Sequence, residues 1–161
     1  MAEVAVLGIG NTLMRDDGIG VRLMEGVRDA RLWPDGVEFI DGGAGGLGLL
    51  NVIESARRLV VFDSAEMGLA AGQHRVIGEE HLAADTGEHR ISLHDLSFEE
   101  TLRLCRLASG GPETVAILAV QPGVVGFGKE LSGQVQAALG HLIEEGVRLV
   151  GEMLGGPARQ C

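Results

Sequence analysis

The feature that most constrains this chain is the stretch of residues 7–20, which combines a glycine-rich turn with the adjacent carboxylates Asp16 and Asp17. An apolar run at residues 3–7 precedes it, and a helix-like apolar pattern follows from Gly18. A buried strand, a tight turn and a helix in this order are typical of open α/β folds, which place functional groups at the carboxyl ends of their strands. The question for the rest of the chain is therefore what it brings to this acidic pair.

Strand and helix patterns alternate along the chain. Predicted strands lie at residues 3–7, 37–40, 58–62, 73–77 and 114–120, and predicted helices at residues 18–31, 47–55, 96–108 and 132–154. In the third of these helices, the predicted apolar face is Leu96, Leu102, Leu104 and Leu107. The alternation predicts a single α/β domain over residues 1–161, built as a three-layer α/β/α sandwich with a mostly parallel, twisted sheet flanked by helices. The tail at about 155–161 is expected to be mobile.

Composition excludes several classes of partner. The 161 residues include 23 acidic and 13 basic side chains, giving a net charge of -10, and only 3% are aromatic. This argues against a nucleic-acid or anionic-membrane surface. The two cysteines cannot build a disulfide framework, which favours a reducing compartment. No basic leader or apolar run of about 20 residues is present, so we expect a cytoplasmic protein without a membrane span.

Three common kinds of site find little support in the sequence. The Gly8-x-Gly10 pair resembles the start of a dinucleotide loop, but Leu13 occupies the position of the third glycine and the acidic pair would repel a pyrophosphate. Lys129 is the only lysine, so a Walker A motif is missing. There is no G-x-S-x-G motif, and Cys105 lies in an apolar helical segment typical of a buried core residue. Serine or cysteine acyl-enzyme chemistry therefore lacks a candidate nucleophile.

Carboxylates and one histidine stand where the predicted strands end. Asp17 begins the first helix, Asp41 and Asp63 end the second and third strands, and His94 precedes the next helix. The fold gathers them at one edge of the sheet. Two carboxylates and an imidazole suit a divalent metal such as Ni, Zn or Mn, with positions left for water or substrate. Simpler roles stay open: a helix cap for Asp17, a turn for Asp41, and a cap or core position for His94.

These motifs also resemble a known family. The matching residues are Gly8-x-Gly10-Asn11-x-Leu13-x-x-Asp16-Asp17-Gly18-x-Gly20, Asp41-Gly42-Gly43, the strand end at Asp63, Ser92-x-His94 and Gln121-Pro122. In this order and spacing they resemble the hydrogenase maturation endopeptidases, which process the large subunit of [NiFe] hydrogenases. The resemblance runs over nearly the whole chain.

The resemblance implies an enzyme that removes a short C-terminal extension from the large-subunit precursor after nickel insertion. Matched residue by residue, the implied nickel ligands are Asp17, Asp63 and His94. Some members carry glutamate as the first ligand, and here we favour Asp17 over its neighbour Asp16. The Asp41-Gly42-Gly43 turn matches a motif associated with activity or substrate recognition. Zn or Cd are further ions that such a site would accept in vitro.

A mechanism follows as a hypothesis. Nickel in the precursor is held by Asp17, Asp63 and His94, so that the peptidase inspects the loaded metal centre before cutting. Because a serine or cysteine nucleophile is missing, water attacks, activated either by a metal or by Asp41 as general base. The expected partner is the [NiFe] hydrogenase large-subunit precursor, and the expected oligomeric state is a monomer.

A signalling module is the alternative. Receiver domains also combine an early acidic pair, an aspartate after the third strand and a later lysine, and Asp16, Asp17, Asp63 and Lys129 imitate that set. In a receiver the acidic pair directly ends the first strand, whereas here the segment 8–15 intervenes. This spacing favours the peptidase, and a nucleotide-binding enzyme is a third, weaker alternative.

Overall fold

The computed structural model describes residues 1–83 and 98–155. In this part of the chain the strands form a five-stranded sheet in the order β2-β1-β3-β5-β4. The strands are β1 (Ala2–Gly8), β2 (Val37–Asp41), β3 (Ala56–Ser64), β4 (His74–Ile77) and β5 (Thr114–Val120). Strands β2, β1, β3 and β5 run parallel, and β4 pairs antiparallel with β5 at one edge. The mostly parallel sheet agrees with the alternation of strand and helix patterns in the sequence.

Helices cover both faces of this sheet. The described helices are α1 (Ile19–Asp29), α2 (Leu50–Ser55), α3 (Glu79–Ala83), α4 (Phe98–Ser109) and α5 (Gly133–Leu154), with 3-10 turns at Asp16–Gly18 and Leu47–Leu49. Helices α1 and α5 pack on one face, against side chains such as Val60 and Phe62. Helices α2 and α4 pack on the other, against Leu59 and Val61. Successive strand residues alternate between these two cores, and the predicted α/β fold is confirmed.

The register places the functional candidates at one edge. Gly8, the last residue of β1, pairs with Asp41 on one side and with Phe62 on the other. Strand β3 continues two residues beyond its predicted end, so that Asp63 lies within the strand and pairs with Ala119 of β5. Because these strands are parallel, their carboxyl ends and the turn that follows β1 meet at the same edge of the sheet.

One predicted face was wrong. Leu104 and Leu107 of α4 are 45% and 80% exposed, whereas Phe98, Leu102 and Cys105 are buried. The buried residues lie four and three positions apart, the spacing of a helix face, and the third and fourth predicted leucines, Leu104 and Leu107, fall off that face. Leu96 and most of the tail at 155–161 lie outside the described residues. None of the helices in the described part is long and apolar enough to cross a membrane.

Candidate active site

The turn between β1 and α1 brings the helix start against the strand ends. Gly10 has a φ of +144°, and a Cβ added there would lie 2.0 Å from the backbone oxygen of Asp17. A Cβ on Gly20 would lie 2.2 Å from the carbonyl oxygen of Ile9 and 2.3 Å from that of Phe62. Glycine is required at both positions because backbone occupies the space of a side chain. This close approach sets Asp17 beside the end of β3.

The Asp16 carboxylate accepts hydrogen bonds from the loop between β5 and α5. Its carboxylate accepts bonds from the N–H groups of Gly123 at 2.9 Å, Val124 at 2.8 Å and Ser132 at 2.7 Å, and from the Ser132 hydroxyl at 2.5 Å. Burial raises the pKa of Asp16, but the Ser132 hydroxyl and the backbone donors outweigh it, and the pKa lies below the usual value. Asp16 therefore acts as a structural clamp.

Asp17 is oriented differently, although it is the next residue. Its Oδ2 accepts a bond from the backbone N–H of Asn11 at 3.0 Å, and its Oδ1 lies 3.5 Å from the hydroxyl of Ser64. The side chain is 7% exposed, close to the amino terminus of α1, where a negative charge is favourable. Thus Asp17 reaches the end of β3, while Asp16 reaches the β5–α5 loop.

Asp63 lies directly before Ser64 and is 1% exposed. Its Oδ1 accepts the N–H of Ser64 at 2.8 Å, which fixes the carboxylate at the strand end. The alternation along β3 directs Asp63 toward the face of α2 and α4, and Ser64 toward the face of α1. Both carboxylates therefore lie at the carboxyl end of β3, where the Ser64 N–H binds Asp63 and the Ser64 hydroxyl approaches Asp17.

Asp41 stands apart from this pair. It is exposed at the end of β2, where its Oδ1 accepts the N–H of Gly43 at 2.8 Å in a side-chain turn. Strand β1 lies between β2 and β3, so Asp41 and Asp63 belong to strands separated by roughly 10 Å. The side chain of Asp41 faces solvent at the same edge, across β1 from the Asp17 and Asp63 pair.

His94 lies outside the described residues, and its role as a third ligand stays a prediction. The next described element along the chain is α4, whose first residue, Phe98, is buried on the sheet face toward which Asp63 is directed. Within residues 1–83 and 98–155, no three His, Cys, Asp or Glu side chains are grouped so that they hold a metal ion. The carboxylates of Asp17 and Asp63 are suitable ligands for a divalent first-row ion, and an imidazole would be a third ligand of a suitable type.

The contacts of several supporting residues were not predicted from the sequence. Gln121 is buried at the end of β5, accepts the N–H of Met67 at 2.7 Å and donates to Glu66 at 3.0 Å, which holds the segment after β3. Ser64 and Ser132, which bind Asp17 and Asp16, were also not singled out as functional. Gln121 and Asn11 were part of the matched motifs, but nothing in a motif states which side chain a residue contacts.

The structure also bears on the alternatives. The space that a side chain at Gly10 or Gly20 would fill is occupied by the chain's own backbone, so these two glycines serve close packing within the chain. Lys129 is exposed and lines a groove along the outer side of α1 with Arg22, Glu25 and Asp29. Neither Asp17 nor Asp63 lines that groove. In a receiver domain the lysine belongs beside the acidic site.

Comparisons with known proteins point to one family. A family model described as hydrogenase maturation protease matches residues 21–149. The hydrogenase expression/formation protein HupM of Azotobacter chroococcum is 35% identical over 154 residues, which cover 90% of this chain and 74% of that protein. The hydrogenase 2 maturation protease of Escherichia coli is 31% identical over 121 residues, covering 74% and 73%. The structure of the hydrogenase maturating endopeptidase HybD from E. coli superimposes with a TM-score of 0.82 at 28% identity, covering 94% and 93%.

Proposed function

Since this chain belongs to the hydrogenase maturation protease family, we propose that it removes a short C-terminal extension from the precursor of a [NiFe] hydrogenase large subunit after nickel insertion. As a member of that family it is a hydrolase and an endopeptidase. This replaces the receiver-like alternative. The observation that carries the proposal is the placement of Asp17 and Asp63 at the end of β3, joined through Ser64.

Nickel enters this proposal as part of the substrate. Asp17, Asp63 and His94 are the proposed ligands to nickel already held by the precursor. Asp17 is preferred over Asp16 because the Asp16 carboxylate accepts four hydrogen bonds that hold the β5–α5 loop. A precursor without nickel offers no ion to these carboxylates, so the site distinguishes loaded from empty substrate. Zn or Cd would fit the same donor set.

Water is the proposed nucleophile. Cys105 is fully buried in the core between the sheet and α4, so its thiol is not exposed to attack a substrate. Water adds to the scissile carbonyl carbon, its proton passes to a base, and the amine of the extension leaves after taking up a proton. Asp41 is the proposed base because its carboxylate is exposed at the same edge of the sheet. Activation of the water by a metal remains the second route.

The precursor is the proposed partner, and a monomer in the cytoplasm is the proposed state. The monomer follows from the family pattern, and the location follows from the cysteine content. Neither a nucleic acid nor a membrane surface is proposed as a partner, since the chain carries a net charge of -10.

The test is cleavage of nickel-loaded and nickel-free precursor, followed by intact mass. We expect loss of a C-terminal peptide from the loaded form only. Asp17→Ala, Asp63→Ala and His94→Ala should abolish cleavage, whereas Asp35→Ala and His141→Ala, exposed residues away from the β3 end, should cleave like wild type. Wild-type cleavage by Asp63→Ala and His94→Ala would contradict the ligand assignment, and equal cleavage of both precursor forms would contradict nickel recognition.

A further inference from the structure

Exposed apolar side chains lie beside the candidate active site. Leu13, Val124, Val125 and Phe127 are 55%, 41%, 48% and 94% exposed. We call these four residues the apolar platform. Residues 124–128 read Val-Val-Gly-Phe-Gly and contain no polar side chain, although the chain as a whole has a net charge of -10. A clustered set of exposed apolar groups is typical of an interaction site, whereas single ones are common on any surface.

The platform is rigidly built from two loops. The N–H of Arg15 donates to the carbonyl of Gly128 at 2.9 Å, and the N–H of Gly128 donates to the carbonyl of Leu13 at 2.9 Å. The N–H of Asp16 donates to the carbonyl of Val124 at 3.1 Å, and the Asp16 carboxylate accepts the N–H of Val124 at 2.8 Å. The backbone is thus ordered before any partner arrives, which reduces the entropy lost on binding.

The platform is continuous with the site that must receive the substrate. Leu13 donates its N–H to the side chain of Asn11 at 3.0 Å, and the N–H of Asn11 in turn binds Asp17. On the other loop, Val124 binds Asp16, the immediate neighbour of Asp17. The loops that carry the platform are therefore bonded directly to the segment that holds Asp16 and Asp17.

We propose that the apolar platform is the docking surface for the folded body of the precursor, with Phe127 as its principal anchor. This inference rests on the proposed function and adds to it where the substrate is held outside the cleavage site. The complementary surface on the precursor is apolar, because the platform offers no charge to pair with. Exposed aromatic residues that become buried in a partner carry a large share of the binding energy at protein interfaces.

The test measures binding and cleavage of the nickel-loaded precursor by Phe127→Asp and Val125→Asp. The control is Leu32→Asp, because Leu32 is also 94% exposed but lies in the loop between α1 and β2. This loop is at the amino ends of the parallel strands, opposite to the carboxyl ends where the candidate site lies. We expect Phe127→Asp to weaken precursor binding and raise KM roughly tenfold or more, as for loss of an aromatic anchor. Val125→Asp should have a smaller effect in the same direction, and Leu32→Asp should behave like wild type.

Thermal unfolding of each variant, followed by circular dichroism, separates lost binding from lost folding, and Phe127→Ala repeats the test without a new charge. Wild-type binding and KM in Phe127→Asp and Phe127→Ala would overturn the inference. So would a self-associating wild type that Phe127→Asp converts to monomers, because the platform would then bind a second copy. If wild type binds the precursor without cleaving it, the proposed function is contradicted, but the binding data still show whether the platform is the docking surface. If it does neither, both are overturned.

Discussion

Two glycine-rich loops flank the candidate site, and they use glycine for different reasons. In the β1–α1 turn and the first turn of α1, Gly10 and Gly20 are needed because a Cβ would collide with backbone oxygens at 2.0 to 2.3 Å. In the loop after β2, Gly43 and Gly46 have φ values of +53° and +87°, and an added Cβ would meet no atom within 4 Å. Gly10 and Gly20 are therefore required for close packing, whereas Gly43 and Gly46 are favoured by their backbone conformation.

The difference shows how the site is constructed. The β1–α1 turn is wedged between strand ends and α1, and Asp16 fastens it to the β5–α5 loop. The loop after β2 is attached by backbone bonds from Gly42 to Gly8 at 2.8 Å and from Gly10 to Gly43 at 2.7 Å, and its surface is open. Substitutions at Gly10 and Gly20 should therefore destabilise the whole fold, while those at Gly43 and Gly46 should be better tolerated.

The largest expected effect is that of Gly20→Ala. Alanine is the best helix former, and at an exposed helical glycine it gains about 1 kcal/mol. At Gly20, however, the methyl group would meet two backbone oxygens that cannot move independently. We expect a loss of more than about 3 kcal/mol in the free energy of unfolding, measured by urea denaturation.

Gly140→Ala is the matched control. Gly140 lies in α5, is exposed, and has no atom within 4 Å of an added Cβ. This variant should be stabilised by about 0.5 to 1 kcal/mol. Equal effects of the two substitutions would contradict the packing argument for the first loop.

The next largest effect is expected for Asp16→Ala. This change leaves the N–H groups of Gly123, Val124 and Ser132 without their acceptor. Since unsatisfied donors are costly, we expect a loss of about 2 to 3 kcal/mol. Ser132→Ala removes only the hydroxyl donor and should cost about 1 kcal/mol. An unchanged urea midpoint in Asp16→Ala would show that the clamp does not hold the loop.

Much of this architecture could be predicted from the sequence. Apolar runs and turns gave the strand order along the chain, and parallel strands necessarily bring Asp17, Asp41 and Asp63 to one edge. The predicted buried face of helix α4 was wrong because leucines occur on several sides of this helix. Composition alone does not indicate that Phe98 and Cys105 are among the residues that face the core. Periodicity alone is a weak guide when apolar residues surround a helix.

From the sequence, Asp17 was favoured over Asp16 as the metal ligand, but the different roles of the two residues could not be derived from the sequence itself. Both residues are aspartates in the same turn, and their difference depends on a loop more than 100 positions away, where Gly123 and Ser132 bind Asp16. The preference for Asp17 came from a resemblance, and the structure adds a physical reason. Long-range partners of this kind leave no local signal.

A smaller effect concerns acid stability. The pKa of Asp16 is lower in the folded protein than its ordinary value of about 3.9, because its hydrogen bonds favour the charged form. The folded state thus binds fewer protons than the unfolded state, so its stability falls as pH drops through the ordinary value toward the lowered one. Urea denaturation between pH 3 and pH 7 should show a shallower loss in Asp16→Asn than in wild type. Parallel curves would contradict a charged Asp16 in the fold.

The smallest effect is expected in the second loop, at Gly43. Its φ of +53° lies in the left-handed region, which costs an ordinary residue about 1 kcal/mol, whereas asparagine adopts it more readily. Gly43→Ala should therefore lose about 1 kcal/mol in urea denaturation, and Gly43→Asn should lose less. If both variants were destabilised as strongly as Gly20→Ala, the second loop would be as tightly packed as the first. If Gly43→Ala lost cleavage of the nickel-loaded precursor at unchanged stability, the open loop would be needed for access to Asp41 rather than for the fold.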